Sequence, residues 1–455
     1  MKKIRKIINK YWLVFLACIA VILFIFNMVV FYPGYMSNDS MSQLNQALGV
    51  KAVGDWHPTI MVFVWRVLIN FSHIASSMLM LQMVFLWLML SILSIFIYRQ
   101  TKSKKLSLMP YGVGLLPIIL NISGVVWKDV HMAFALGLSV ILLLIYKHLP
   151  NKLWQILDSV LVFSLIIYAC LLRYNAFLAI APVIYLAINE TIIVLKSVYH
   201  KLLAMIGIFI MIFLFGFLVN LFLSPVSENP LSSVMIDDII NVKTYEELDR
   251  APKNIRSMLM DVQKNCIVRN VIMNGYWLCA DDSQRFEIHI SGYNELRGYW
   301  LKSIISHPFK YISYRVETYA IFLFPPDTSA YGGDYIWQYG IEENSLGQKV
   351  RFDKIGRAVQ FYSVNFGYKH FSFLFQAWFW LVASAAVLFY SRKINKYKKY
   401  VITLSASGLV YILCYIPVVI AADYRYIYWP VLATILATIL VITEKYTIET
   451  RRLNK

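Results

Sequence analysis

Residues 11–58 read YWLVFLACIAVILFIFNMVVFY and then PGYMSNDSMSQLNQALGVKAVGDWHP, an apolar run followed at once by a polar loop. The run at 11–32 is long enough to cross a bilayer, because a spanning helix needs roughly 20 mostly apolar residues. No small-residue cleavage site follows the run, which indicates an uncleaved anchor rather than a signal peptide. The stretch therefore predicts that the loop beginning at Pro33 emerges directly at a membrane surface.

The composition extends this prediction to the whole chain. Of 455 residues, 59% are hydrophobic and only 15% are charged, a balance that soluble domains rarely have. The apolar runs are continuous and lack the alternation of a membrane β-barrel. We therefore expect an all-α polytopic membrane protein of about ten transmembrane helices. The predicted spans are 11–32, 78–98, 106–125, 130–146, 153–172, 175–195, 202–223, 372–390, 400–421 and 426–443.

The spans divide the chain into three parts. Residues 1–223 form a transmembrane module whose first outer loop is 33–77, residues 224–371 form a mostly helical extracytoplasmic region, and residues 372–455 return to the membrane. Cys266 and Cys279 both lie in the extracytoplasmic region, where a disulfide is permitted but not required. Helical patterns cover Tyr245 to Gln263, and His307 to Phe324 has the pattern of an amphipathic helix that rests on the bilayer.

The net charge of +18 sets the orientation of the chain. Lysine and arginine gather in short segments near residues 2–10, 99–105, 147–152, 196–201, 392–399 and 445–455. Such clusters mark cytoplasmic loops, so both termini are expected in the cytoplasm. This distribution argues against nucleic acid as a partner and for the lipid bilayer.

Two helices are expected to lie at the membrane surface in the first outer loop. One begins at Ser37 and stops at Gly49, and the other runs from Pro58 towards Asn70. The second is apolar enough to be mistaken for a span, but counting it as one would invert every later basic loop. Arg66, on this second helix, is expected to extend towards the interface.

The same loop carries three residues suited to chemistry. Asp39 stands at the start of the first surface helix, where a carboxylate also stabilises a helix terminus. Asp55 and His57 precede the second helix, and each could be a simple cap. His57 could also contact an acceptor or bind a metal ion, although two loop residues do not define a metal site.

Further charged residues end up on the same side of the membrane as Asp39. They are Lys128, Asp129, Arg173, Asp423 and Arg425, and the neutral Tyr426 follows the last of them. Each has a structural explanation, namely a solvated turn with an extended Lys128, an interfacial anchor at Arg173, and internal pairing of Asp423 with Arg425. A charged pair inserted in the apolar run GVVWKDVHMAFALG favours function at Lys128 and Asp129.

This order of elements resembles the GT-C superfamily of polyprenyl-phosphate-sugar-dependent glycosyltransferases. The resemblance is nearest to multi-pass proteins of low-GC Gram-positive bacteria. The matching motifs are PGYMSNDSMSQ with a later HP, WKDVHMA, LLRYNAF, HPFKY and DYRY. It covers most of the chain in topology, whereas each motif is short.

The resemblance implies transfer of a sugar from a polyprenyl-phosphate donor to an envelope glycan or glycolipid on the outer face, with inversion. Asp39 would be the general base, because the superfamily's loop acid stands there. Lys128, Arg173 and Arg425 would stabilise the leaving phosphate. The remaining roles are donor and substrate binding by His57, Asp129 and Tyr426, and acceptor contact by Asp55. No cofactor is certain, and a divalent metal ion remains open.

Other functions remain open. An O-antigen-type polymerase or ligase also pairs many spans with a large outer loop. A transporter or flippase for a lipid-linked sugar would place charges midway through spans and break helices in matched halves. A non-catalytic partner of another glycosyltransferase would tolerate the loss of Asp39.

Overall fold

A computed structural model describes residues 2–173, 176–192, 195, 197–287, 292–326 and 336–453. Within these ranges the chain is helical, and its β contacts are isolated bridges such as Tyr35 with Val125. The first part contains α1 (Lys2–Phe31), α2 (Asn38–Ala47), α3 (Thr59–Ser72), α4 (Ser77–Thr101), α5 (Lys104–Leu115), α6 (Pro117–Ser123), α7 (Lys128–Ile145), α8 (Lys152–Leu172), α9 (Phe177–Thr191) and α10 (Val198–Leu223). The middle contains α11 (Ser232–Val242), α12 (Tyr245–Leu248), α13 (Lys253–Arg269), α14 (Gly275–Leu278), α15 (Asp282–Glu287), α16 (Tyr293–Ser306) and α17 (Pro308–Leu323). The last part contains α18 (Asp353–Gln360), α19 (Lys369–Phe371), α20 (Ala377–Tyr390), α21 (Lys398–Leu413) and α22 (Tyr428–Leu453), with a π-helix at Phe361–Tyr368.

The chain is a polytopic α-helical membrane protein. In the described residues, six helices are long and apolar enough to cross a bilayer: Tyr11–Phe31, Ser77–Thr101, Lys128–His148, Lys152–Leu172, Val198–Leu223 and Tyr424–Thr450. Two further spans are counted if each of two bent pairs crosses once. These pairs are Lys104–Leu115 with Pro117–Ser123, bent by 50°, and Asp353–Phe375 with Ala377–Lys393, bent by 59°.

The helix lengths support six to eight spans and not the predicted ten. The expected spans at 175–195 and 400–421 correspond to α9, of 15 residues, and α21, of 16 residues. At 1.5 Å per residue these helices are about 22 and 24 Å long, shorter than a hydrocarbon core of about 30 Å. The apolar run after Leu413 continues without α-helix through Pro417, so hydropathy alone overestimated the length of α21.

Helix α7 lies at the centre of the bundle. It is buried along almost its whole length and packs against α4, α8, α9 and α22. Its first residues are Lys128 and Asp129. The charged pair predicted at a membrane boundary therefore begins the most enclosed helix of the bundle.

The basic loops meet at one end of the bundle. Lys147 and Lys399 both pair with the buried carboxylate of Glu190. Lys396, just before α21, donates a hydrogen bond to Gln100 at the end of α4, with a distance of 2.6 Å between Nζ and Oε1. We call this the lysine-rich end; the loop containing Asp39 lies at the opposite end.

A second hydrophobic core forms in the middle region around α11, which packs against α13, α14, α16 and α17. Cys266 and Cys279 are joined by a disulfide, the alternative that the sequence left open. The helical pattern from Tyr245 to Gln263 corresponds to two helices, α12 and α13, and Pro252 is the N-cap residue of the second. The helix expected at 307–324 is present as α17.

Helix α17 also connects the middle region to the bundle. Arg315 Nη1 donates to the backbone oxygen of Val419 at 3.0 Å, and the hydroxyl of Tyr319 donates to Ile412 at 3.4 Å. The face of α17 that carries Phe309, Ile312 and Val316 is exposed. Its contact with a bilayer stays a prediction.

Candidate active site

The loop that carries Asp39 is fixed to the turn that begins α7. The backbone N–H of Tyr35 donates to Gly124, and the N–H of Val126 donates back to Tyr35. Side chains extend this pairing, because Ser40 Oγ donates to the Val126 carbonyl at 2.7 Å. The start of α2 is therefore held beside the start of α7. Helices α2 and α3 both begin one residue after their predicted starts at Ser37 and Pro58.

Asp39 forms an ion pair with Arg425. The distance from Asp39 Oδ2 to Arg425 Nη1 is 2.8 Å, and the Asp39 side chain is 34% exposed. Arg425 also pairs through Nε with Asp423 Oδ2 at 2.7 Å, and its guanidinium lies 4.8 Å above the ring of Trp127. Arg425 thus bridges two carboxylates. It pairs with Asp423 inside the DYRY turn and with Asp39 in the first outer loop.

His57 lies between Asp39 and Lys128. Its Nε2 is 3.7 Å from Asp39 Oδ1, and its Nδ1 is 3.1 Å from Lys128 Nζ. Burial, and then the neighbouring Lys128 ammonium, lower the pKa of His57 to about 3, so the ring is neutral. Because a lysine can only donate, Nδ1 accepts and the ring proton is on Nε2, directed towards Asp39.

Lys128 is a cation without a carboxylate contact. None of the ion pairs among the described residues includes it. Its hydrogen-bond partner is the neutral ring of His57, which cannot compensate its charge. Lys128 is therefore the group in this cluster that is best able to accept an incoming anion.

Arg173 and Asp129 form the third charged contact. Arg173 Nε donates to Asp129 Oδ1 at 2.5 Å, and Nη2 contacts the same oxygen. The guanidinium lies 4.7 Å from the ring centre of Tyr426, which in turn stacks on Tyr415 at 5.1 Å. The aromatic rings hold Arg173 in place while leaving its remaining N–H groups for a ligand.

The cluster keeps Asp39 ionised. Burial would raise the pKa of Asp39, but Arg425, followed by His57 and Lys128, holds it well below its usual range. A carboxylate with a low pKa is a weak base. Asp39 in this resting arrangement is therefore a hydrogen-bond acceptor and ion-pair partner before it is a base.

Seven of the eight predicted site residues come together. They are Asp39, His57, Lys128, Asp129, Arg173, Arg425 and Tyr426. Asp55 faces elsewhere, since its Oδ1 accepts the backbone N–H of Glu228 at 2.5 Å and thereby fixes the segment after α10. Its predicted contact with an acceptor stays a prediction.

Sequence reasoning missed two neighbours of the cluster. Trp127 lies under Arg425 and donates through its indole N–H to Ser37 at 2.8 Å, and Tyr415 stacks on Tyr426. The position of Trp127 directly before the charged pair was a usable signal, whereas Tyr415 had none. Arg66 donates to the carbonyls of Gln46 and Ala47 at the end of α2, and its extension towards the interface stays a prediction.

An apolar cavity of about 470 Å³ lies beside the cluster, between α3, α8, α9 and α10. Thr59 and Leu171 line it and stand two residues along the chain from His57 and Arg173 respectively, whereas none of the seven cluster residues lines it. A second apolar groove of about 960 Å³ lies between α5, α6, α20 and α22. The cluster therefore adjoins space in which a hydrocarbon chain can lie.

The charges of the cluster balance. Lys128, Arg173 and Arg425 face Asp39, Asp129 and Asp423, and the ring of His57 is neutral. An anion that enters this cluster gains the attraction of Lys128 and competes with the carboxylates for the two arginines. For the metal ion that the sequence left open, the described residues offer no group of three or more His, Cys, Asp or Glu side chains.

Comparisons with protein-family models, with curated proteins and with solved structures found no match to this chain.

Proposed function

We propose that this chain is a membrane glycosyltransferase of the GT-C type that moves a sugar from a polyprenyl-phosphate carrier to an extracytoplasmic envelope acceptor. The observation that carries the proposal is the convergence of Asp39 with Lys128, Arg173 and Arg425 beside an apolar cavity.

The cations match the charge that develops on the leaving group. In an inverting displacement the acceptor oxygen attacks the anomeric carbon while the bond from that carbon to the phosphate oxygen breaks. The carrier phosphate then changes from a monoanionic diester to a dianionic monoester. Lys128, Arg173 and Arg425 stabilise the additional charge more strongly than they stabilise the bound donor, which is the requirement for catalysis.

Asp39 takes the proton of the attacking hydroxyl. A phosphate bound between Lys128 and Arg425 competes for the arginine, and the loss of that ion pair makes Asp39 a stronger base. Asp423 keeps Arg425 within the cluster during this exchange. The donor therefore activates the base that its own transfer needs.

The surroundings fit a lipid carrier on the outer face. The cavity is apolar, and two of its lining residues, Thr59 and Leu171, stand two positions from His57 and Arg173, so it can hold isoprene units of a carrier whose phosphate lies in the cluster. The basic loops meet at the opposite, lysine-rich end, as the positive-inside rule requires for a cytoplasmic side. A disulfide in the middle region is typical of an oxidising compartment.

The test is sugar transfer in membranes that contain the wild type or Asp39→Asn, supplied with polyprenyl-phosphate sugars and envelope extract. We expect the variant to lose about two to four orders of magnitude in rate. Asp249→Asn, which changes an exposed carboxylate in the middle region, is the control and should retain full activity. Equal transfer by the wild type and Asp39→Asn would remove Asp39 from the mechanism, and no transfer with any donor would contradict the proposed function.

A transporter for lipid-linked sugars is the second candidate. The two bent helix pairs favour it, because transporters place their sites at broken helices. Transport would move labelled lipid across proteoliposomes without forming a glycosidic bond, and would tolerate Asp39→Asn. The polymerase or ligase alternative predicts products longer by more than one sugar.

A further inference from the structure

A short segment beside the candidate active site holds a half-exposed tryptophan on a rigid backbone. The segment is 275–280, and the side chain is Trp277, which is 48% exposed. Its neighbour in sequence, Tyr276, is buried. The segment has no part in the chemistry described above.

Contacts from three directions fix this segment. The disulfide from Cys266 holds Cys279. The buried carboxylate of Asp237 accepts the backbone N–H groups of Asn274 at 2.7 Å and Tyr276 at 3.2 Å. Side chains of α13 and α15 bind the carbonyls at its far end, at 3.0 Å to residue 279 and 2.7 Å to residue 280. An exposed aromatic ring on so constrained a backbone is typical of a preformed binding surface.

The loop that carries His57 continues this surface. Trp56 stacks nearly parallel on Tyr276, with ring centres 5.4 Å apart and an angle of 17° between the ring planes. Trp56 also meets Trp277 edge to face at 5.4 Å. Trp277 is therefore in direct contact with Trp56, the residue that precedes His57.

Charged groups border the aromatic rings. The guanidinium of Arg285 lies 5.2 Å from the ring centre of Trp277, and the carboxylate of Glu228 accepts the backbone N–H of Trp56 at 3.3 Å. A pyranose ring has an apolar C–H face that packs on an aromatic ring, and hydroxyl groups at its rim that bond to arginine and carboxylate. The surface offers both kinds of contact in one place.

We propose that Trp277, Trp56, Arg285 and Glu228 form a subsite for a pyranose unit of the acceptor, beyond the unit that receives the sugar. The assignment rests on the proposed function only for the word acceptor, since carbohydrate binding can be measured without transfer. It makes the acceptor a glycan or glycolipid with at least two sugar units. The subsite gives specificity, because it is reached only by an acceptor long enough to extend from Asp39 to Trp277.

The experiment measures binding of neutral oligosaccharides to the full chain in nanodiscs. The probes are chitotetraose, cellotetraose and maltohexaose. Binding of each probe is measured by a saturation-transfer NMR titration. We expect at least one to bind, with an affinity about fivefold to tenfold weaker in Trp277→Ala and within about twofold of the wild type in Trp277→Phe, which keeps an aromatic face. Trp154→Ala is the matched control, because this tryptophan is 53% exposed and lies in the first turn of α8, at the lysine-rich end.

The outcomes separate the subsite from the glycosyltransferase. Absence of binding by every probe, or equal binding by Trp277→Ala, overturns the subsite, and the second result would leave Trp277 as a bilayer anchor. Binding without any transfer contradicts the glycosyltransferase alone, whereas transfer with an unchanged acceptor KM in Trp277→Ala contradicts the subsite alone.

Discussion

Replacing Arg425 by glutamine tests the central claim that one guanidinium serves both the phosphate and the base. The substitution removes the ion pair with Asp39 at 2.8 Å and the ion pair with Asp423 at 2.7 Å. Two effects should follow, a lower rate of transfer and a change in the pH at which Asp39 loses its proton. They have different causes and can be measured separately.

The rate effect follows from the charge that the phosphate gains. Loss of one preorganised donor to a developing oxyanion costs about 3–4 kcal/mol, so kcat/KM for the donor should fall by about 10²–10³-fold. Arg425→Lys keeps the charge and loses the planar fork, and should fall by about tenfold. Arg256→Gln, in the middle region, is the control and should stay within twofold of the wild type.

The pH effect follows from the Coulomb energy. Two unit charges about 4 Å apart interact by about 4 kcal/mol at an effective dielectric constant of about 20. Since Asp39 is one-third exposed, solvent screening reduces this to about 1–2 kcal/mol, or about one pH unit. Arg425 lowers the pKa of Asp39, so its removal should move the acid limb of kcat/KM to higher pH.

In the wild type, the acid limbs of the kcat/KM and kcat profiles should also lie at different pH. The profile of kcat/KM reports the free enzyme, in which Arg425 holds Asp39, and the profile of kcat reports the bound complex, in which phosphate competes for Arg425. The acid limb of kcat should therefore lie at higher pH than that of kcat/KM. If Arg425→Gln is folded and neither slows donor turnover by more than threefold nor moves the limb, the shared role of Arg425 is refuted.

Three further predictions concern the donor, the disulfide and the orientation of the chain. Lys128→Ala should weaken binding of the polyprenyl-phosphate carrier by about tenfold or more, measured by lipid titration. Lys51→Ala, between α2 and α3, should not weaken it. Equal binding by Lys128→Ala and the wild type would contradict the phosphate role of Lys128. Replacing Cys266 and Cys279 by serine should lower the free energy of unfolding of the middle region by about 2–4 kcal/mol in thermal melts and leave carrier binding intact, and an unchanged melt would show that the bond contributes no stability. A cysteine introduced at Ser345, which is exposed in the middle part of the chain, should react with an impermeant maleimide from outside intact cells, and labelling from the cytoplasm alone would invert the topology.

The sequence predicted the members of the site better than their pairing. Charged residues at the ends of apolar runs must collect at two membrane surfaces, so Asp39, Lys128 and Arg173 could be assigned to one end from hydropathy and charge. The contact between Asp39 and Arg425 joins residues 386 positions apart and depends on how α22 closes the bundle. No local pattern carries that information.

The predicted number of spans was wrong for a different physical reason. Hydropathy measures how apolar a run is, whereas a span also needs continuous helix to satisfy its backbone. The run at 400–421 is apolar throughout, yet its helix ends at Leu413 and the loop that follows approaches Arg315 through the carbonyl of Val419. The hydrogen bond that Asp55 accepts from the backbone N–H of Glu228 could not be predicted either, because the sequence does not place these two residues close together.

The zero net charge of the cluster affects which anions it can bind. Three unpaired cations at a membrane surface would attract phospholipid headgroups, which greatly outnumber any sugar carrier. Asp129 and Asp423 instead hold Arg173 and Arg425 in ion pairs, so a phosphate meets one uncommitted cation, Lys128, before it can compete for the others. A ligand must then supply additional binding energy, which the cavity of about 470 Å³ offers only to an apolar chain of suitable shape. If the proposed function is right, the carboxylates disfavour common anions, and a donor is selected because it carries both a phosphate and an apolar chain that fits the cavity.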